Sequence, residues 1–290
     1  MCSSDLALFG TEASKQRYLP EVCSGKRIAA FALSEPEGGS DVSALRTTAQ
    51  ADGDHYVVNG TKTWISNGIQ GHCVALLVKT DRDAEPRHRG MSVFICEKGP
   101  GFAASRKLEK LGYKGIDSAE LVFDNYRIPA DRLIGGVEGH GLQHVLGGLE
   151  LGRINVAARG VGIAQAALDE SVKYAQVRKT FGVPIAQHQA IQLKLADMAT
   201  RAEAARLLVR RAAEMYDTGQ RCDMEAGMAK LFATEAAMEN SAEAMRVHGG
   251  YGYSTEFNVE RLYRDAPLLV IGEGDRKSTR LNSSHITISY

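Results

Sequence analysis

The spacing of apolar and polar residues changes partway along the chain. From about Lys26 to Leu133, short apolar runs of strand length are separated by turn residues. The runs that predict strands are Ile28–Leu33, His55–Ser66, Cys73–Val78, Met91–Ile95 and Ala119–Phe123. Within the second run, Asn59-Gly60 is a signal for a tight β-hairpin. This part of the chain is predicted to form a small antiparallel barrel or sandwich.

From about Gly141 the apolar residues recur with a helical period. The first predicted helix, Leu142–Gln176, carries small residues that let a neighbouring helix approach closely: Ala157, Ala158, Gly160, Gly162 and Ala164. The second has one apolar stripe, formed by Ile191, Leu195, Met198, Ala202, Ala205, Val209, Ala212 and Tyr216. A third is predicted over Met224–Met245. Together they predict most of an antiparallel helical bundle.

Both ends of the chain differ from this pattern. Leu6–Pro20 has the polar pattern of a single helix end, and Met1–Asp5 and residues 275–290 are expected to be foreign or disordered. An ordinary flexible terminus is the alternative. The predicted division is a helical remnant at 1–25, a β-barrel domain at 26–135, a helical bundle at 136–274 and a tail at 275–290.

Composition excludes several classes of function. The 290 residues contain 35 Lys plus Arg and 35 Asp plus Glu, so no basic field is available for nucleic acid. The longest apolar run, Cys73–Val78, is too short to insert into a membrane. The five cysteines are scattered, without a CxxC pair, which indicates a reducing, cytoplasmic setting and neither a disulfide framework nor a metal site.

Two segments of the strand-rich part carry candidate chemistry. FALSEPEGGSD, at Phe31–Asp41, combines glycines that permit close backbone approach with serine hydroxyls, as a phosphate-binding loop does. The same composition also occurs in an ordinary turn. WISN, at Trp64–Asn67, places an aromatic ring beside polar residues and can flank a planar ligand, although a lone tryptophan is also typical of a core.

Three segments of the helical part also carry candidate chemistry. RKTFG at Arg178–Gly182, followed by His188 and Gln189, places cations at the end of a helix, where dipole pairing is the simpler explanation. RVHGGYGY at Arg246–Tyr253 is a glycine-rich turn or a helix stop at Gly249. In VIGEG, a single carboxylate, Glu273, lies between glycines as a candidate base, although most glutamates are solvated.

Taken together, these segments resemble the acyl-CoA dehydrogenase family. The resemblance rests on YLPEV, FALSEPEGGSDV, NGTKTWISNG, ALDESVKYAQVRKTFG, HGGYGY and RLYRDAPLLVIGEG, in this order from about Leu6 to Gly274. It implies an α+β multidomain fold in which an antiparallel β-barrel middle domain is followed by an antiparallel helical bundle, in agreement with the two periods. It also implies that most of an N-terminal helical domain and the extreme C-terminus are missing.

The resemblance implies FAD as the cofactor. The implied contacts in the strand-rich part are Phe31, Leu33, Ser34, Gly39, Ser40, Trp64, Ile65 and Ser66. The implied contacts in the helical part, directed to the FAD of a neighbouring subunit, are Arg178, Thr180, His188, Gln189, Arg246, Gly249 and Gly250. A homotetramer built as a dimer of dimers is therefore implied. Four positions depart from the residue frequent in the family: Phe31 stands in place of tyrosine, Ser34 and Ser66 in place of threonine, and Arg246 in place of glutamine.

The implied reaction is the oxidation of acyl-CoA to trans-2-enoyl-CoA. Glu273 matches the base that removes the proton next to the thioester carbonyl, while hydride passes to flavin N5. Some branches of the family place the base at the position of Gly152, which cannot act. Implied substrate contacts are Ser40, Glu150, Arg153 and Gly274. Burial is expected to raise the pKa of Glu273.

An electron-transfer flavoprotein is the implied electron acceptor. Two alternatives stay open: an acyl-CoA oxidase-like relative that uses oxygen, and an inactive truncated fragment that does not hold FAD. Neither acyl chain length nor branching can be read from these motifs.

Overall fold

A computed structural model describes residues 2–274, and the predicted tail at 275–290 lies outside the described residues. The described chain forms two compact units. The sheet unit contains the residues up to Lys110 together with Lys114–Leu149, and the helical unit contains Leu111–Tyr113 and the residues from Glu150 onward. Among residues 2–274, no helix has both the length and the apolar character needed to cross a membrane.

A seven-stranded sheet is the centre of the sheet unit. Two helices, α1 (Cys2–Phe9) and α2 (Glu12–Cys23), precede it. The strands are β1 (Ala29–Ala32), β2 (Thr48–Asp52), β3 (His55–Ser66), β4 (Cys73–Lys79), β5 (Met91–Glu97), β6 (Phe102–Lys107) and β7 (Ser118–Pro129). They are ordered β1-β4-β2-β3-β7-β6, with β5 paired to β4. Most pairs are antiparallel, but β1 and β2 pair with β4 in parallel, so the sheet is mixed.

Strand β4 separates two apolar cores. Its side chains alternate, so Val74, Leu76 and Val78 enter one core cluster while Ala75 and Leu77 enter the other. All of them are fully or almost fully buried. A strand buried on both faces reads as a continuous apolar run, which is why the sequence signal for β4 is so clear.

The start of the chain differs from the prediction of one helix after a disordered stretch. There are two helices, and Cys2–Asp5 lies in the first of them, so the expected disorder is wrong there. Thr11 caps α2 by accepting a hydrogen bond from the Ser14 N–H at 3.2 Å. Leu6 and Tyr18 are buried in the second core cluster. Burial of an apolar side chain contributes roughly 1.5–3 kcal/mol, which explains the order of α1.

The hairpin predicted at Asn59-Gly60 is also wrong. Both residues lie inside strand β3, which pairs with β7 on either side of a register shift at this point. Gly60 has φ +149°, and a Cβ there would lie 2.5 Å from the Thr47 hydroxyl oxygen. The glycine therefore serves close packing rather than a turn. The true turn contains Gly53, at φ +62°, between β2 and β3.

The helical unit contains the greater part of α3 (Gly141–Val177), then α4 (Gln189–Asp217), α5 (Asp223–His248) and α6 (Val259–Ile271). A short hairpin of β8 (Lys179–Thr180) and β9 (Val183–Pro184) follows α3. The predicted fold class is confirmed as a half-barrel sheet domain followed by a helical domain, but the sheet is mixed and not purely antiparallel as predicted.

Helix packing follows the predicted small residues and stripe. A Cβ on Gly160 would lie 2.7 Å from the Ala233 carbonyl oxygen, so α3 and α5 approach closely because the residue is glycine. On α4, the residues of the predicted stripe are buried or packed against the core clusters, with Met198 and Ala205 almost fully buried. Helix α6 was not among the predicted helices.

Candidate functional site

In the sheet unit, the glycine loop after β1 is built around the carboxylate of Glu35. A tight turn is closed by the Glu35 N–H donating to the Gly38 carbonyl at 2.8 Å and by the reverse bond at 3.1 Å. The Glu35 side chain then accepts hydrogen bonds from the backbone N–H of Arg46 at 2.6 Å and of Thr47 at 3.0 Å. These bonds join both ends of the loop to one buried side chain.

Lys62 on β3 completes this anchor. Its side chain is fully buried, and its Nζ donates to Glu35 Oε1 at 2.8 Å and to the Leu33 carbonyl at 3.0 Å. Burial lowers the pKa of Lys62 to about 8 although Glu35 opposes the change. Burial acts to raise the pKa of Glu35, but the charge and hydrogen bond of Lys62 bring it below its ordinary value. Both groups are therefore charged at neutral pH.

The predicted polar contacts of the loop are accessible. Ser34 is half-buried and Gly39 and Ser40 are exposed, and a Cβ on Gly39 would lie 3.8 Å from the Ser34 hydroxyl oxygen. The Ser34 carbonyl accepts a hydrogen bond from the Thr63 N–H at 2.9 Å. The loop and the end of β3, which sequence reasoning treated as two motifs, are thus adjacent.

The end of β3 presents a tryptophan to solvent. Trp64 is 63% exposed and has φ +60°, a left-handed conformation that is rare for a large residue. Such a conformation costs of the order of 1–3 kcal/mol and is typical of ligand-binding segments. Ser66, two residues further on, is also exposed. An exposed aromatic ring beside a hydroxyl is a suitable platform for a planar ligand.

Three other predicted contacts direct their side chains inward. Ile65 is 2% exposed and belongs to the first core cluster. Phe31 and Leu33 are half-buried and pack against the second core cluster. Ile65 can therefore contact a ligand only through its backbone.

In the helical unit, a cavity of about 670 Å³ lies beside the ends of α3 and α5. It is lined by five of the residues predicted to contact the cofactor, Arg178, Thr180, His188, Gly249 and Gly250. It is also lined by Tyr174, Ile185, Ile191, Val247, His248, Tyr251, Ser254 and Glu256. The fold thus brings together the RKTFG and HGGYGY segments, which are about 70 residues apart.

Polar contacts order the wall of this cavity. The Thr180 hydroxyl and His188 Nε2 are 2.9 Å apart, and the Arg178 guanidinium lies over the Tyr251 ring at 5.8 Å. Gly249 ends α5 with φ +61°, so the interpretation as a helix stop is correct and compatible with lining the cavity. A Cβ on Gly249 or on Gly250 would meet no atom within 4 Å, so a ligand can approach this backbone.

Two predicted contacts do not line the cavity. The Arg246 guanidinium donates a hydrogen bond to Glu243 one turn earlier on α5. Gln189 is the exposed first residue of α4. The arginine in place of the glutamine frequent in the family is therefore engaged along its own helix in this structure.

Sequence reasoning missed Tyr174 and included His248 only as a member of the Arg246–Gly250 segment that the resemblance implies to contact the cofactor. Their rings stack with centroids 4.2 Å apart, and His248 Nδ1 lies 2.8 Å from the Ala244 carbonyl oxygen. Burial lowers the pKa of His248, so this ring is neutral at neutral pH, and Arg178 provides a permanent positive charge on the wall. Tyr174 lies in the last turn of α3, and the N–H of Arg178, the residue that directly follows this helix, donates a hydrogen bond to the Tyr174 carbonyl at 2.9 Å. The spacing of four residues between them was the available signal.

Glu273 follows the end of α6 in the helical unit. It has φ +58°, and its Oε2 is buried without a hydrogen-bond partner among residues 2–274. Burial raises the pKa of Glu273, and the positive charges of Arg159, Arg153 and Lys230 partly oppose the rise. A half-buried carboxylate with one buried, unsatisfied oxygen and a raised pKa has the properties of a general base.

Two predicted substrate contacts lie on α3. Arg153 is half-buried, and its Nε is likewise without a hydrogen-bond partner among the described residues. Burial lowers the pKa of Arg153 although Glu273 opposes this. Glu150, by contrast, accepts hydrogen bonds from the Cys222 N–H at 3.3 Å and from its thiol at 3.0 Å. Glu150 therefore anchors the start of α5.

Two family models match the chain. The model of the acyl-CoA dehydrogenase middle domain matches residues 30–126, and that of the acyl-CoA dehydrogenase C-terminal domain matches residues 139–284.

Known proteins are similar over nearly the whole chain. The chain is 45% identical over 280 residues to an acyl-CoA dehydrogenase of Bacillus subtilis (strain 168), covering 96% of this chain and 73% of that protein. It is 44% identical over 284 residues to the mitochondrial short-chain specific acyl-CoA dehydrogenase of Bos taurus, covering 97% of this chain and 68% of that protein. The solved structure of butyryl-CoA dehydrogenase from Megasphaera elsdenii matches with a TM-score of 0.94 at 38% identity, covering 98% of this chain and 74% of that one.

Proposed function

Because this chain belongs to the acyl-CoA dehydrogenase family, we propose that it oxidises acyl-CoA thioesters to trans-2-enoyl-CoA with FAD. The observation that carries the proposal is Glu273, a half-buried residue with a raised pKa whose buried Oε2 has no hydrogen-bond partner among residues 2–274, at the position of the family's base. Buried polar atoms normally have hydrogen-bond partners. An oxygen without one is suited to accept a proton from a substrate.

In the proposed reaction, Glu273 takes the proton from carbon 2 of the acyl chain. FAD, when bound, supplies the acceptor for the hydride that leaves carbon 3, so that a carbon–carbon double bond forms. Arg153 is proposed to contact the substrate close to the Glu273 carboxylate, with which its positive charge interacts. Gly274 is proposed to contact the thioester through its backbone. Ser40 is proposed to contact the CoA portion.

The described residues fit a flavin dinucleotide. Trp64 offers an exposed ring on a strained backbone, as a planar ligand requires, and Ser34, Gly39 and Ser66 are accessible. In the helical unit, the cavity combines the Arg178 guanidinium with open glycine backbone, a combination that suits an anionic phosphate. We propose that this cavity holds part of the FAD bound by another copy of the chain.

A homotetramer and an electron-transfer flavoprotein are proposed as partners. Exposed apolar side chains near the cavity support self-association: Phe181 is 97% and Tyr253 is 87% exposed. The Phe181 ring packs edge-on to His188, which lines the cavity. Large apolar side chains of this kind are common at protein interfaces. The flavoprotein partner is inferred from family membership.

We further propose a short, straight acyl chain as the substrate. The support is that one of the similar proteins is named a short-chain specific acyl-CoA dehydrogenase and another a butyryl-CoA dehydrogenase. Comparison of butyryl-CoA with octanoyl-CoA and isobutyryl-CoA as reductants tests the choice.

The proposed function is tested by the visible spectrum of the purified chain with FAD. Anaerobic addition of butyryl-CoA is expected to bleach the bound flavin. Bound flavin that no acyl-CoA bleaches would contradict the proposal. Reoxidation by an electron-transfer flavoprotein and not by oxygen is expected, and rapid peroxide formation in air would instead indicate the oxidase-like alternative.

The rate of this bleaching is expected to fall as the pH is lowered. Only ionised Glu273 can accept the proton, and burial raises its pKa above the ordinary value of 4.5. The fall in the bleaching rate should therefore begin at a higher pH than the pH at which ordinary carboxylates become protonated. A rate that stays constant until ordinary carboxylates are protonated would show that Glu273 is not the group involved.

Arg178→Met is expected to weaken FAD binding by about tenfold to a hundredfold, since a charged hydrogen bond contributes roughly 1.5–3 kcal/mol. Lys179→Met is the matched control, because Lys179 is exposed next in sequence and does not line the cavity. Affinity is measured by flavin fluorescence during titration. Equal losses in the two variants would contradict a specific contact by Arg178.

A further inference from the structure

A buried lysine lies beneath the Glu273 segment. Lys230 on α5 is 2% exposed, and its Nζ donates a hydrogen bond to the Val270 carbonyl at 2.8 Å and another to the Gly274 carbonyl. Lysine is almost never fully buried unless its charge is compensated, because desolvation of the charge is costly. The Val270 and Gly274 carbonyls are two hydrogen-bond acceptors for this buried ammonium group.

The two carbonyls stand on either side of Glu273. Val270 belongs to the last turn of α6, whose carbonyls have no further partner within the helix. The Gly272 N–H makes the last bond back to the helix, to the Leu268 carbonyl at 2.8 Å. A cation at this C-terminal end is favoured by the helix dipole. Lys230 thus connects the end of the helix to the residue just after Glu273.

The backbone at Glu273, between these two points, is strained. Its φ is +58°, whereas the φ of +91° at Gly274 is readily adopted by glycine. A non-glycine residue persists in the left-handed region only where the surrounding structure holds it. The described contacts that bracket Glu273 on both sides are those of Lys230.

We propose that Lys230 is a positioning residue for the base: its two carbonyl contacts hold the strained segment and thereby direct the Glu273 carboxylate. The assignment rests on the proposed function of Glu273. Lys230 does not itself contact the substrate, because its ammonium group is buried and bonded to the backbone.

The first test measures the segment without reference to activity. In Lys230→Met, the amides of residues 270–274 are expected to exchange with deuterium at least about tenfold faster, since local opening then lacks the two bonds. Exchange in strand β3 should be unchanged. Lys173→Met, at an exposed lysine paired with Glu170, is the control. Unchanged exchange at 270–274 in Lys230→Met would overturn the proposal.

Lys230→Gln keeps one amide donor and covers the case in which the methionine variant does not fold. Glutamine is shorter and is expected to retain at most one of the two bonds, so exchange at 270–274 should again be faster than in the unaltered chain. Unaltered exchange in this variant would equally overturn the proposal.

The second test separates positioning from simple stabilisation. In Lys230→Gln with bound FAD, flavin reduction at saturating butyryl-CoA is expected to be about 100-fold slower, because a base displaced by about 1 Å loses this much rate. The concentration for half-saturation should change by less than about threefold. A variant that loses stability but reduces its bound flavin at the original rate would overturn the proposal. Absence of reduction in the unaltered chain would contradict the proposed function and leave the exchange test valid.

Discussion

Glu273→Gln is expected to slow the reduction of bound flavin by butyryl-CoA by about 10²–10⁴-fold, the contribution usual for a general base. The amide has nearly the same shape but cannot accept a proton at carbon 2. FAD binding should be unchanged, because the substitution removes a charge that burial already disfavours. The measurement is anaerobic stopped-flow absorbance of the flavin band, with substrate in excess.

Glu214→Gln is the matched control, at an exposed glutamate on α4 of the same unit. It should leave the rate within about twofold, as surface substitutions commonly have little effect. Glu273→Asp should also be slow, because the shortened side chain withdraws the carboxylate. A Glu273→Gln variant that reduces its flavin at the original rate would show that another group removes the proton.

Lys62→Met is expected to destabilise the sheet unit by about 3–5 kcal/mol, because it leaves the Glu35 carboxylate buried without its charge partner. The loop that carries Ser34 and Gly39 should lose its anchor at the same time, so FAD binding should weaken. Urea unfolding followed by the fluorescence of Trp64, the single tryptophan and a residue of the same strand, measures the effect.

The control is Lys107→Met, at an exposed lysine of β6 that lies 3.8 Å from Glu109. Exposed ion pairs contribute about 0–1 kcal/mol, so little change is expected. The double variant Glu35→Gln with Lys62→Met should be more stable than Lys62→Met alone, since no uncompensated charge remains. Equal destabilisation by the two lysine substitutions would contradict the structural role of the buried pair.

Elements with a strong apolar period were predictable from the sequence. The stripe on α4 and the continuous apolar run of β4 report burial on one side of a helix and on both faces of a strand. Gly160 was predictable as a close-approach residue because it belongs to a series of small residues along the first predicted helix. Asn59-Gly60 was not, because its glycine is required by a contact with Thr47, which is distant in sequence. Local turn signals cannot distinguish these two uses of glycine.

The candidate site was predictable only in part. Family motifs pointed to the cavity residues Arg178 and Thr180, which the fold brings beside Gly249 and Gly250. The supporting residues Lys62 and Lys230 were missed, because a buried lysine has the same appearance in a sequence as a solvated one. Their roles depend on partners about 27 and 40 residues away in the chain, Glu35 and Val270. The pairing of Arg246 with Glu243 likewise became visible only in the structure.

The central claim, that Glu273 removes the proton from carbon 2 of an acyl-CoA, is tested most directly with butyryl-CoA that carries tritium at carbon 2. With FAD bound under anaerobic conditions, the unaltered chain is predicted to release tritium into water while the flavin bleaches, and Glu273→Gln is predicted to release almost none. Release at the same rate by both proteins would contradict the account.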